Sequence, residues 1–291
     1  MSFVALVSDS TANLYPDFVE KYGIRVIPLY IKIGDTTFKD GVDISTGEFY
    51  ERLPNCDPLP ITSQPSAGDF VKLYQELVDA GAEAIISVHL SSGISGTVNS
   101  ATLAAAEMDG LPIEIVDTRC AAASHMLAVE AGAFALARGA TFEEAVAAVR
   151  QVVDQQKIVF AVDTLEYLHK GGRIGGAAAL LGGLLQFKPI LYFKDGKIDA
   201  LERVRSSKQA LVRLAEIMAD WLGKEEPLQA VVMHADCPER AKALADLLPQ
   251  YMNVANVRIT EVPTVLGAHV GNGTVGISCC LDAIYGDGGS E

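Results

Sequence analysis

The stretch Ala84-Ile-Ile-Ser-Val-His-Leu-Ser-Ser-Gly-Ile-Ser-Gly-Thr-Val-Asn-Ser-Ala-Thr-Leu-Ala-Ala-Ala106 decides how the rest of the chain is read. Its apolar start, Ala84 to Val88, has the length and composition of a buried strand, and Val98 to Ala106 that of a helix. Between them lie small hydroxyl residues and glycines at a helix start, which is where anions are held. Gly93 and Gly96 permit tight turning and close backbone approach. The free N–H groups of the first helical turn, and the positive end of its dipole, would face a bound anion. Ser91, Ser92, Ser95 and Thr97 add hydroxyl donors. Two other readings compete with this one. A Ser/Gly-rich turn can simply cap a helix. A nucleophile elbow requires Gly-x-Ser-x-Gly, and Gly93-Ile-Ser-Gly-Thr97 lacks the final glycine.

Composition bounds what surrounds this loop. At 291 residues and 49% apolar content, the chain is long enough for about two domains with large cores. A net charge of −14 argues against nucleic acid and anionic membrane surfaces as partners. No apolar run approaches the roughly 20 residues that span a bilayer, so stable membrane insertion is not expected. Met1 to Val7 lacks a basic flank and reads as a first strand, not a signal peptide. Five cysteines without metal spacing point to reduced thiols and a cytoplasmic location. Gly286 to Glu291 reads as a disordered tail. Histidine pairs at helix spacing and the phosphate-loop pattern G-x-x-x-x-G-K-[ST] are both missing, so no metal, cofactor or nucleotide is expected.

Taken in order, Phe3–Val7 reads as a strand, Asp17–Tyr22 as a helix and Arg25–Ile33 as a second strand. Ser45 to Glu48 and Thr141 to Glu144 have capping-box spacing. Ser66 and Asp69 repeat it before the stripe Phe70, Leu73, Tyr74 and Leu77. Thr62 and Ser63 lie upstream of that cap and are free to face the same ligand as the Ser92–Thr97 loop. Pro112–Asp117 is a strand, and Ala121–Ala137 an alanine-rich helix. Alternation of this kind predicts an α/β protein whose N-terminal domain, residues 1–157, is a three-layer α/β/α unit with a mainly parallel sheet. Its ligand crevice belongs outside the C-terminal strand ends. Beyond Lys157 the texture changes. A strand at Ile158–Val162, a hairpin turning at Asp195-Gly196, an amphipathic helix to Trp221 and late strands predict a two-layer α+β domain with a mixed sheet over 158–291. Gly267 to Gly273 reads as a glycine loop bearing His269.

Eight segments together resemble the DegV family of bacterial fatty-acid-binding proteins, the lipid carriers of fatty acid kinase. They are Ser8-Asp-Ser-Thr11, Thr62-Ser-Gln-Pro-Ser66, Leu90 to Thr97, Asp163 to Ile174, Lys188-Pro-Ile-Leu191, Arg203 to Lys208, His234-Ala-Asp236 and Gly267 to Gly271. They occur in family order across nearly the whole chain. The resemblance implies that the second domain closes over an acyl chain held between the two domains. Hydroxyls matching Thr62 and Ser95 would grip its carboxylate, with His269 close by and Ser63, Ser92, Gly93, Gly96, Thr97 and Gly267 around them. The chain itself would not be an enzyme. A separate kinase catalytic subunit would phosphorylate the presented acid to acyl phosphate for phospholipid synthesis. Arg173, Arg203 and Arg205 would contact the carboxyl environment or the kinase. Departures are few: His169 stands where arginine is more usual, and Asn272 where proline is common.

Read on chemistry alone, His269 is either a structural imidazole or a donor whose charged form a nearby carboxylate favours. His89 and His234 end apolar strands and read as structural, and His125 has no assigned role. The basic set Lys170, Arg173, Arg203, Arg205 and Lys208 forms either a solvated face or a patch for a phosphate-bearing partner. Two other classes remain: a serine-dependent hydrolase or acyltransferase using Ser95 and His269, and a phosphotransferase subunit. The first needs a base with its own orienting group beside Ser95. The segment Ala177–Phe187 is expected to shape an acyl tunnel.

Overall fold

The computed structural model describes residues 3–181 and 187–285. Residues 182–186 of the expected tunnel segment, and the tail 286–291, lie outside the described residues. A four-stranded parallel sheet has the order β2 (Arg25–Ile27), β1 (Val4–Asp9), β6 (Ala84–His89), β7 (Ile113–Asp117). A six-stranded mixed sheet runs β10 (Lys197–Val204), β9 (Lys188–Lys194), β8 (Lys157–Ala161), β13 (Val275–Leu281), β11 (Leu228–His234), β12 (Val254–Glu261). Only β11 and β12 pair in parallel there. A small antiparallel sheet joins β4 (Thr36–Lys39), β3 (Tyr30–Ile33) and β5 (Ile61–Ser63).

The helices are α1 (Pro16–Tyr22), α2 (Thr46–Arg52), α3 (Ala67–Asp79), α4 (Thr97–Ala105) and α5 (Ala123–Ala137), followed by α6 (Phe142–Gln155), α7 (Glu166–Lys170), α8 (Ser207–Leu222), α9 (Pro238–Leu247) and α10 (Thr264–Val270). Ser66 and Thr141 form the capping boxes that their spacing predicts, opening α3 and α6.

Alternation along the strands sets the layers. Ala5, Val7 and Ile85 pack against Phe70, Leu73 and Leu77 of α3 and Ala101 and Ala104 of α4. Leu6, Ile86 and Val88 face the other way, toward α5 and α6. The fold class is therefore the expected one, with the parallel sheet covered on both sides. In the mixed sheet, Val159, Ile190, Val232 and Ile277 pack under α8 and α9. Its opposite face, with Ile158, Phe160, Val231 and Met233, turns to α5 as well. The α5 helix thus lies between two sheets, and twelve of its fifteen residues are buried. A helix that is apolar all round belongs in such a position.

Two expectations are corrected. Arg25–Ile33 is not one strand: the chain leaves the parallel sheet at Pro28, which has no N–H to donate, and β3 joins the small sheet. The glycine loop is mostly the helix α10. Gly267 is needed for packing, because a Cβ there would lie 2.5 Å from Tyr50 Oη. Gly271, at φ 74°, stops the helix.

Candidate functional site

The Leu90–Gly96 loop leaves β6 at the C-terminal edge of the parallel sheet and enters α4. Its glycines serve close packing. A Cβ on Gly93 would lie 2.4 Å from the Gly196 carbonyl oxygen in the β9–β10 turn, and one on Gly96 would lie 2.8 Å from the Gln64 amide nitrogen. Ser91 Oγ donates to the Gly196 carbonyl at 2.6 Å, so the hairpin turn is fastened onto the loop. Ser95 Oγ accepts the Thr97 N–H at 3.3 Å and shares a hydrogen bond with the Thr97 hydroxyl at 2.9 Å.

Against this loop opens a cavity that is partly open to solvent. Its apolar wall is built mainly from the mixed sheet, through Ile158 and Phe160 of β8, Met233 of β11, Phe193 of β9 and Ile198 of β10, with Leu90 from the loop after β6 and Leu29 and Val265 from other elements. Its polar lining includes Thr62, Ser63, Ser95, Arg173 and His269. Two of these groups are directly hydrogen-bonded, and Arg173 is anchored beside them. Thr62 Oγ1 and His269 Nε2 are 2.8 Å apart, across the gap between β5 and α10. Arg173 donates through Nε to the Ile94 carbonyl, beside Ser95, at 3.1 Å, and through Nη1 to the Gly171 carbonyl at 2.9 Å. Among the described lining residues, Arg173 is the only Lys, Arg, Asp or Glu.

Burial, and then the Arg173 charge, push His269 down to about 4. The imidazole is therefore neutral near pH 7. Its Nδ1 is buried without a hydrogen-bond partner among the described residues, and the ring lies so close to Gly171 that a Cβ there would sit 2.3 Å from Nδ1. A base with no orienting carboxylate, and a Ser95 hydroxyl turned to Thr97, do not make the nucleophile–base–orienter chain that hydrolysis requires. The chain Ser87–His89–Asp9 has that order, at 2.7 Å and 3.0 Å, but all three residues are completely buried.

The remaining predicted residues stand outside the lining. Ser92 donates its hydroxyl to Asp117 at 2.5 Å. Thr97 is buried behind Ser95, and Gly267 faces α2. Arg203 and Arg205 are not grouped with Arg173. They line a separate surface depression with Lys208, at the far end of β10 from the cavity residue Ile198. Lys170 pairs with Glu166 at 2.6 Å on the surface.

Of the expected tunnel segment, Ala177 is buried in the core. Sequence reading missed the apolar wall, whose residues sit on seemingly ordinary core strands, and the network of Asp9, His89 and His125. Among the described residues, no cluster of three His, Cys, Asp or Glu side chains suits a metal ion, and no helix is long and apolar enough to cross a membrane.

Comparison with known proteins agrees with the fold. Residues 3–282 match the family described as "Uncharacterised protein, DegV family". A DegV domain-containing protein of Streptomyces coelicolor is 39% identical over 275 residues, covering 94% of this chain and 97% of that protein. Protein DegV of Bacillus subtilis is 34% identical over 282 residues, covering 96% and 99%. Among solved structures, a DegV family protein of Thermus thermophilus, described for its fatty acid binding, superposes with a TM-score of 0.90 at 32% identity, covering 96% of this chain and 99% of that one. The Bacillus subtilis DegV structure, described as a fatty acid binding protein, gives 0.86 at 33% identity, covering 97% and 100%. Sequence, architecture and extent of match agree, and the chain belongs to the DegV family.

Proposed function

We propose that this protein is a cytoplasmic carrier that holds one long-chain fatty acid in the cavity and presents its carboxylate to a separate kinase. The observation that carries the reading is the composition of one lining: apolar side chains from the mixed sheet and the loops facing it, beside Thr62, Ser95, His269 and the Arg173 guanidinium. In this reading the Thr62 and Ser95 hydroxyls donate to the carboxylate. His269 Nε2–H donates to Thr62 Oγ1, leaving the Thr62 proton directed at the ligand. Fatty acid binding by the Thermus thermophilus and Bacillus subtilis proteins supports the ligand class. In this reading the chain divides into domains 1–157 and 158–291, one residue into β8 and just after the end of α6.

Affinity and orientation come from different parts of the ligand. At about 0.8 kcal/mol per buried methylene, some 14 methylenes contribute on the order of 11 kcal/mol gross. Lost freedom on binding offsets much of that. A hydrogen bond to a charged acceptor adds about 1.5–3 kcal/mol. The tail therefore sets retention, and the hydroxyls set where the head lies.

The phosphoryl donor comes with the kinase. Arg203, Arg205 and Lys208 form its docking patch on an otherwise acidic chain, with the Arg203 guanidinium 5.3 Å from the Phe187 ring centroid. The acyl phosphate produced feeds phospholipid synthesis. Native mass spectrometry of the chain purified without detergent tests the ligand. A bound mass of one C14–C18 acid is expected, and a protein that stays empty after incubation with palmitate overturns the reading.

A further inference from the structure

Beneath the Ser95 loop lies a run of fully buried polar side chains that touch no part of the cavity. Tyr74 Oη donates to Ser87 Oγ at 2.9 Å, Ser87 Oγ meets His89 Nε2 at 2.7 Å, and His89 Nδ1 meets Asp9 Oδ2 at 3.0 Å. The same Oδ2 accepts the Leu90 N–H at 3.0 Å. The other oxygen, Oδ1, accepts the Thr11 N–H at 3.0 Å and the Thr11 hydroxyl at 2.5 Å. Four donors converge on two oxygens.

Only a carboxylate satisfies that set, because an amide would turn an N–H2 group toward two donors whichever way it flipped. Burial alone would raise the Asp9 pKa. The facing His125, with hydrogen bonds from His89 and Thr11, outweighs it and holds Asp9 at about 2. With Asp9 ionised, His89 Nδ1–H donates to it. Its Nε2 then accepts from Ser87, whose oxygen takes the Tyr74 proton, so every group in the run is paired.

Leu90 is the first residue of the loop and lines the cavity. From it the chain is built by short bonds: Ser91 N–H to the Cys120 carbonyl at 2.7 Å, then Ile94 and Ser95 N–H to the Ser91 carbonyl at 3.2 Å and 3.1 Å. We infer that Asp9 and His89 are positioning residues for head-group recognition: by fixing the Leu90 N–H they fix the Ser95 hydroxyl, and so make the cavity select an acid over a neutral lipid of the same length. This rests on the carboxylate being held at Ser95 as proposed above.

The test compares palmitate with hexadecan-1-ol on the delipidated full-length chain, each displacing a fluorescent fatty acid. The native protein should bind palmitate at least tenfold more tightly than the alcohol. Asp9→Asn should weaken palmitate about tenfold while leaving the alcohol within twofold, and His89→Ala should do the same. His89→Asn, whose amide N–H stands near the position of Nδ1–H, should restore most of the preference. Equal losses for both lipids, or no loss, overturn the inference, since a purely structural network would not distinguish head groups. If Asp9→Asn does not fold, Ser87→Ala decides: it removes the group that His89 Nε2 leans on, and a selective loss of two- to threefold is expected. A native protein that does not prefer the acid sinks the carboxylate reading itself, independently of Asp9.

Discussion

At the scale of single residues the cavity presents three different chemistries at one polar patch: hydroxyls, a neutral imidazole and a guanidinium. The Ser95 hydroxyl is hydrogen-bonded only to Thr97, in its own segment, among the described residues. Ser95→Ala should therefore remain loaded with fatty acid, with palmitate affinity reduced about tenfold by loss of one charge-assisted hydrogen bond. Acyl phosphate production by the proposed partner kinase should fall by at least as much, because the head group is no longer held in one place. Undiminished turnover would remove Ser95 from the site. His269 gives a pH signature. Its folded pKa of about 4 lies below the unfolded value of roughly 6.5, so between these values the unfolded chain binds more protons. That share of stability is present above pH 6.5 and is lost as pH falls toward 4, by at most about 3 kcal/mol. His125 is also depressed by burial and titrates in the same direction, so the native protein alone does not isolate His269. The contrast with His269→Gln does: urea unfolding at pH 7 and pH 4.5 should show a smaller drop for the variant. An equal drop in both proteins would mean that His269 is not the buried neutral base described.

Among elements, the β9–β10 hairpin and the Ser95 loop form one closure. Ser91 donates to Gly196, Gly93 leaves room for it, and Arg119 approaches Asp195 at 3.6 Å from the next loop. Gly93→Ala would place a methyl against backbone, which cannot swing aside as a flexible side chain can, so the turn must lift. Overpacking of this kind costs about 1–3 kcal/mol. The expected result is a lowered melting temperature and faster loss of bound palmitate, read by transfer to acceptor vesicles; unchanged release would show that the hairpin does not confine the ligand. Elements of this kind were legible in the sequence to different degrees. Strands β6, β8 and β11 announce themselves as short apolar runs bounded by turn residues, and α3 and α6 by their capping boxes. The α10 helix was hidden, because glycines at 267, 271 and 273 imitate a loop when one of them is there to admit Tyr50. Thr62 and Ser95 could be named from loop composition and family likeness. Contacts between distant residues could not. Thr62 meets His269 across 207 positions, and Asp9 meets His89 across 80, only because β1 and β6 lie side by side in parallel.

For the whole molecule the decisive feature is that both large sheets share α5. A two-domain chain with separate cores can melt in two steps, but here Met126, Leu127 and Val129 belong to a buried cluster that also contains Leu6 and Ile86 of one sheet and Phe160 and Val231 of the other. The ion pair of Glu130 with Arg258 ties the same helix to β12, with Nη2 to Oε2 at 2.7 Å. Loss of either sheet would expose one flank of α5, so neither half keeps a complete core alone. The single tryptophan provides the probe. Trp221 lies in the outer helical layer of the mixed sheet, 6.0 Å from the Tyr192 ring, far from the parallel sheet. Urea unfolding followed by Trp221 fluorescence should coincide with unfolding followed by far-ultraviolet circular dichroism, which reports both halves. Ala128, completely buried on α5, extends the test. Ala128→Asp places an unpaired charge between the sheets and should move both curves together to lower urea. Fluorescence that lags or leads the dichroism would mean that α5 travels with one sheet alone, and that the two sheets can separate before the chain unfolds.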